Sequence, residues 1–108
     1  MDTKDSIEEI EGIIKNKEIV LVYFGNNLWG VCKDLKPKVL AMLLDYPKVK
    51  TIYVDVEKSH NTAVHFNIFT IPGIIVYVDG KESIREAKHM SIGDIENRID
   101  RYYNLIFN

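Results

Sequence analysis

Apolar residues recur at two spacings along this chain, and the spacing predicts where its helices and strands lie. The first helical repeat is carried by four isoleucines: Ile7, Ile10, Ile13 and Ile14. Their intervals of three and four residues place them on one side of a helix over about residues 6–16. Ser6 with Glu9 three residues later has the form of a capping box, so the helix is expected to begin there. Residues 19–24 then form an unbroken apolar run, which is typical of a central strand covered on both faces.

The same two spacings continue to the end of the chain. They predict helices over about residues 32–45 and 59–66, strands over about residues 49–56, 73–78 and 83–88, and a last helix that opens at Ser91. The residues expected to face inward from these three helices are Leu35, Val39, Leu40, Leu43 and Leu44, then Ala63, Val64 and Phe66, then Ile92, Ile95, Ile99, Tyr102 and Ile106. Pro37 lies within the first of them, where it removes one hydrogen bond and bends the axis. Asp79-Gly80 predicts a two-residue turn between the last two strands.

Composition and charge describe a single globular domain of residues 1–108. The chain is 46% hydrophobic and 10% aromatic, which a packed core requires. The net charge is −2 and no basic run is present, so a nucleic-acid partner is not expected. No apolar stretch reaches the ~20 residues of a membrane-spanning helix, so no membrane partner is expected either. The acidic start of the chain is unlike a secretory signal, and the single cysteine fits the cytoplasm.

The three histidines do not predict a metal site. His60 and His65 are five residues apart, whereas ligands on one helix face are separated by three or four, and His89 is distant in sequence. No acidic or cysteine residue completes a ligand set around them. We therefore expect neither a metal nor another cofactor.

Four motifs in a fixed order resemble those of the thioredoxin family. The segment Val22–Pro37 carries the only cysteine, Cys32, between the end of an aromatic strand and a proline within a helix. Thr70-Ile71-Pro72-Gly73, Asp79-Gly80 and Ser91 follow at the distances of that family, so the resemblance covers about residues 6–107. It implies an α/β fold, namely a three-layer αβα sandwich around a mixed sheet of four principal strands. The extra N-terminal strand of the family is expected to be vestigial or absent.

The active-site motif of the family is degenerate in this chain. Where the family has Cys-Gly-Pro-Cys, this sequence reads Trp29-Gly30-Val31-Cys32, so Trp29 takes the position of the nucleophile and Cys32 that of the resolving cysteine. Tyr23 takes the position of a buried aspartate that moves protons for the resolving thiol, and Thr51 that of its accompanying lysine. These losses imply that the chain is not an active dithiol-disulfide oxidoreductase.

Each site residue that the resemblance singles out has two interpretations. Cys32 is either a buried, weakly reactive side chain or a functional monothiol. Trp29 either shields Cys32 or offers an aromatic surface to a partner. The resemblance implies a cis Pro72, which either leaves the backbone of Ile71 available to an extended peptide or only keeps its loop folded.

Two hypotheses about function follow from the resemblance. The first is a non-catalytic or redox-adjunct domain of the thiol-disulfide family. It would bind an extended segment of a protein or peptide partner through Trp29, Gly30, Val31, Ile71 and Pro72, as a monomer. The alternative is a weak monothiol redox protein in which Cys32 forms mixed disulfides or glutathione adducts.

Overall fold

The computed structural model describes the backbone of residues 1–26 and 30–108, and the side chains of residues 1–26 and 33–108. In chain order its elements are β1 Asp2–Thr3, α1 Ile7–Asn16, β2 Ile19–Gly25, α2 Gly30–Leu43, β3 Lys50–Asp55, α3 His60–His65, β4 Gly73–Val78, β5 Lys81–Ala87 and α4 Ile92–Phe107. Each predicted element is present, with bounds that differ from the predicted ones by a few residues at most.

The strands form one mixed sheet in the order β1-β3-β2-β4-β5. β1, β3 and β2 are mutually parallel, β4 runs antiparallel to β2, and β5 runs antiparallel to β4. β2 lies in the middle and all seven of its residues are buried, as expected for an unbroken apolar run. β1 is the extra N-terminal strand. It is vestigial rather than absent, because two of its residues pair with β3.

Helices cover both faces of the sheet and create two hydrophobic layers. The α1/α3 layer contains every second residue of β2: Val20, Val22 and Phe24. The α2/α4 layer contains the alternate residues Ile19, Leu21 and Tyr23. Because side chains alternate along a strand, one central strand supplies both cores.

Local sequence signals explain how the helices and the hairpin begin. The Ser6 Oγ accepts a hydrogen bond from the Glu9 N–H at 3.2 Å, and the Ser91 Oγ accepts one from the Asp94 N–H at 3.1 Å. Both serines therefore cap their helices as predicted. Asp79 and Gly80 have φ angles of 50° and 80°, the left-handed pair of a type I′ turn.

Three of the predicted inward-facing residues are exposed instead. Leu40 is 39% exposed, Leu44 80% and Val64 41%. The predicted apolar stripe of α2 was too wide, because successive residues point about 100° apart and one side of the helix meets the sheet. Met42 and Leu43 take the inner positions, and Leu44 lies just beyond the end of α2. Within the described residues, no helix is long and apolar enough to cross a membrane.

Candidate functional site

The end of β2 is held against the segment that follows β3. The Val56 N–H donates to the Gly25 carbonyl at 2.9 Å, which extends the parallel pairing by one bond. Asn26 is buried, and its Nδ2 donates to Glu57 Oε2 at 2.7 Å. These two bonds fix the point at which the chain leaves the sheet for the Trp29–Cys32 motif. Neither residue was predicted from the sequence: Asn26 has no assigned role within the Val22–Pro37 segment, and Glu57 lies outside all four motifs.

The degenerate motif leads into α2. The backbone of Gly30, Val31 and Cys32 forms the first turn of that helix, and Pro37 lies inside it as predicted. Trp29 and the side chains of residues 30–32 lie outside the described part of the chain. The two interpretations of Trp29, and the prediction that it shares a binding surface with Ile71 and Pro72, therefore stay untested expectations.

Tyrosines fill the core beneath α2. Tyr23 is fully buried and stacks on Tyr53 with their ring centroids 5.9 Å apart. The two residues are directly paired across β2 and β3. Lys36 extends from the second turn of α2 and places its ammonium group 3.9 Å from the centre of the Tyr53 ring, a cation–π distance. Thr51 is half-buried two pairs earlier, opposite Leu21. A neutral aromatic pair thus occupies the place where the resemblance implies an acid.

The loop before β4 carries Pro72, the proline of the resemblance. The Ile71–Pro72 peptide bond is cis, and Pro72 is buried. Its carbonyl accepts a hydrogen bond from the Lys88 N–H at 2.7 Å, so the loop is tied to the residue after β5. A Cβ at Gly73 would lie 3.1 and 3.3 Å from two methyl groups of Ile68, so a larger residue there would require the Ile68 side chain to shift.

Before Pro72 the chain presents the exposed Phe69 and Thr70 and the half-buried Ile71. Phe69 is 74% exposed, and with Thr70, Ile71 and Lys88 it lines an open depression of about 300 Å³. No described residue forms a hydrogen bond with the backbone of Ile71. The sequence analysis missed Phe69 and Lys88. Counting outward from the Asp79-Gly80 turn would have placed Ala87 opposite Pro72, because the register shift between Val76 and Tyr77 that brings Lys88 there has no signal in the sequence.

Within the described part of the chain, no group of three or more metal-ligating side chains comes together. His65 is instead placed against α1, where its Nε2 lies 3.1 Å from Glu11 Oε2. His65 also meets the Phe66 ring edge-on, with centroids 5.0 Å apart. The described contacts of His65 are those of a surface residue that joins two helices.

Comparison with known proteins agrees with the fold and the motifs. A family model described as thioredoxin matches residues 3–101. The chain belongs to the thioredoxin family. The thioredoxin-like protein YdfQ of Bacillus subtilis is 27% identical over 100 residues, which are 93% of this chain and 89% of that protein. Fasciola hepatica thioredoxin has a TM-score of 0.82 at 26% identity, over 94% of this chain and 99% of its own. Mitochondrial thioredoxin 3 from Saccharomyces cerevisiae, in its oxidized form, superimposes with a TM-score of 0.84 at 20% identity over 94% of both chains, a likeness of fold.

Proposed function

We propose that this chain is a non-catalytic member of the thioredoxin family that binds extended peptide segments. The proposal rests on one observation: the chain belongs to the thioredoxin family but has a single cysteine, Cys32. In dithiol exchange, one thiolate attacks a substrate disulfide and a second thiolate then displaces the substrate and closes an intrachain disulfide. With a single thiol the second step has no reactant within the chain. Release from dithiol chemistry also agrees with Tyr23 and Thr51 at the proton-handling positions.

Peptide binding is supported by the surface around Pro72. The backbone of Ile71 has no partner among the described residues, so its N–H and C=O are available to pair with an added strand. The adjoining depression, beside the exposed Phe69 ring, offers room for an apolar side chain of that strand. The family resemblance adds Trp29, Gly30 and Val31 to the proposed surface. Recognition of this kind needs no thiol, and a chain with a lone cysteine suits the reducing conditions of the cytoplasm.

A peptide selected from a phage-displayed random library tests this proposal. Its affinity is measured by calorimetry for the wild type, Phe69→Ala and Leu105→Ala. Phe69 and Leu105 are almost equally exposed, at 74% and 77%, but Leu105 lies on α4. We expect Phe69→Ala to weaken binding about tenfold, the loss typical of an aromatic anchor, and Leu105→Ala to leave it unchanged. Equal weakening by both variants, or no selectable peptide, would contradict the proposal.

The monothiol alternative is supported by the position of Cys32 in the first turn of α2, where exposed N–H groups favour a thiolate. There the Cys32 thiolate would attack glutathione disulfide and expel one glutathione thiolate. Mass spectrometry after incubation with glutathione disulfide separates the two proposals. We expect little adduct relative to the unfolded chain. Rapid, complete modification in the folded state, with peptide binding lost in Cys32→Ser, would favour the alternative.

A further inference from the structure

A cleft of about 490 Å³ opens between α1, the end of α3 and the β4–β5 turn. It lies over the α1/α3 layer, whereas α2 with Cys32 covers the opposite face of the sheet. A volume of this size is typical of sites for small organic ligands. Its floor is apolar and aromatic, because Ile14, Phe66 and Tyr77 all line it.

A glycine keeps this cleft open. Gly12 lies in the interior of α1, where glycine is about 1 kcal/mol less favourable than alanine. A Cβ at Gly12 would meet nothing within 4 Å, so neither crowding nor an unusual φ angle explains the residue. Gly12 lines the cleft, and any larger side chain there would occupy part of its volume. The open cleft therefore explains why a residue unfavourable in a helix stands at position 12.

The wall of the cleft that α1 provides carries negative charge at one end. Glu8 and Glu11 both line it, and Glu8 has no ion pair among the described residues. Glu11 is shared with His65, at 3.1 Å. Lys15 lines the other end, about 10 Å along the helix axis from Glu8. A positively charged group is thus attracted at the Glu8 end and repelled at the Lys15 end.

Aromatic rings favour the same kind of ligand. Phe66 and Tyr77 line the cleft, and an aromatic ring attracts a cation as well as its apolar body. Burial raises the pKa of Tyr77 to about 12, with the carboxylates of Glu82 and Glu11 adding to the shift and Arg85 opposing it. The ring is therefore a neutral phenol under ordinary conditions and adds no charge of its own.

We propose that this cleft binds an organic cation, an ammonium group carried on an aromatic or aliphatic body. The ammonium lies between the Glu8 and Glu11 carboxylates, and the body covers Phe66 and Tyr77 in the space that Gly12 leaves. The site is separate from the proposed peptide surface, and its occupancy needs neither Cys32 nor Pro72.

The test is an NMR titration of the isotope-labelled protein with phenethylammonium chloride at low salt. We expect saturable shifts at the backbone amides of Gly12, Phe66, Tyr77 and Gly80, with a dissociation constant on the order of 1 mM for so small a ligand. The uncharged 2-phenylethanol is the matched control and should bind several-fold more weakly. Equal binding of the alcohol, or shifts that do not saturate, would overturn the proposal.

Substitutions of the α1 residues that line the cleft test the same site. Gly12→Leu should fill the cleft, abolish the chemical-shift changes and stabilise α1. Gly12→Ala should act in the same direction with a smaller side chain. Glu8→Gln should weaken binding about two- to fivefold and Lys15→Met should strengthen it by a similar factor, as expected for partly exposed charges. Unchanged binding in a folded Gly12→Leu protein, or charge effects of the opposite sign, would contradict the assignment.

Discussion

The two layers of this domain are built by the same strands but are filled differently. The buried residues of the α1/α3 layer are aliphatic apart from one aromatic pair, Phe24 and Phe66, whose ring centroids lie 5.9 Å apart, and the half-buried Tyr77 packs against them. The α2/α4 layer contains buried tyrosines, with Tyr23 stacked on Tyr53 and Tyr46 beneath α4. The residues that depart from the redox pattern of the family thus face the layer beneath the helix that carries Cys32. The other layer serves packing alone, with the proposed cleft at its margin.

The comparison shows that a thioredoxin fold does not depend on its redox residues. An acid and a lysine buried under the active site add nothing to packing, whereas the Tyr23–Tyr53 stack fills the same region with apolar area. A protein released from dithiol chemistry can therefore gain core packing where a dithiol enzyme must keep charge.

Restoring the family's acid should be severely destabilising. We expect Tyr23→Asp to lower the free energy of unfolding by about 4 kcal/mol, because it removes a fully buried ring and introduces a carboxyl group without a built-in partner. Urea unfolding measures the loss, with Tyr23→Leu as the apolar control at about 2 kcal/mol. Burial should raise the pKa of the new carboxyl, so the variant should be less stable near pH 8 than near pH 5. A loss below about 1 kcal/mol would contradict our view of the α2/α4 layer.

The two layers should contribute equally to stability despite their different contents. Ile10 of α1 and Ile99 of α4 are both fully buried, one in each layer. Ile10→Ala and Ile99→Ala should each cost about 3 kcal/mol in the free energy of unfolding, from lost contacts and the cavity left behind. Urea unfolding of both variants checks this. If one substitution were nearly neutral, its layer would not be the packed core described above.

The two serine caps also compare the two layers, with a smaller expected change in the free energy of unfolding. Ser6 caps α1 over one layer and Ser91 caps α4 over the other, each accepting one hydrogen bond from a backbone N–H. Ser6→Ala and Ser91→Ala should each cost about 1 kcal/mol, and Ser→Gly at the same positions only a few tenths. Thermal unfolding followed by circular dichroism measures both. No loss in either variant would show that the caps are not required.

Tyr46 and Tyr77, one phenol from each layer, can be compared by alkaline titration. Neither phenol ionises near neutral pH, so this titration should not affect the stability of the protein there. Burial, followed by the hydrogen bond to Asp100 at 3.1 Å, raises the pKa of Tyr46 to about 12. Burial raises that of Tyr77 to the same value. Because both folded-state pKa values exceed the unfolded value of about 10, their contribution is present below pH 10 and is lost as the pH rises toward 12. Ultraviolet absorbance of tyrosinate should show both late steps, one missing in Tyr46→Phe and the other in Tyr77→Phe. Titration of both near pH 10 would contradict the burial described.

Much of this fold could be predicted from the sequence, because its signals are local. The β2 run, both serine caps and the Asp79-Gly80 turn each specify their own conformation. The exposure of Leu40 and Leu44 could not be predicted, since the width of a buried helix face depends on what packs against it. At the site, Pro72 and Cys32 could be found by motif. Phe69 and Gly12 could not, because exposure and open space arise only from the assembled chain.

The central claim is that this thioredoxin-family chain does not carry out dithiol-disulfide exchange, and one assay tests it most directly. The reduction of a protein disulfide by dithiothreitol is followed for the wild type, Cys32→Ser and Trp29→Cys. We predict that the wild type and Cys32→Ser proceed at the uncatalysed rate, because no second thiol can complete the exchange. Trp29→Cys restores two cysteines three residues apart and should gain partial activity. The gain should be limited because Tyr23 and Val31 still replace the aspartate and the proline of the family. Turnover by the wild type at the rate of an ordinary thioredoxin, abolished in Cys32→Ser, would contradict the claim.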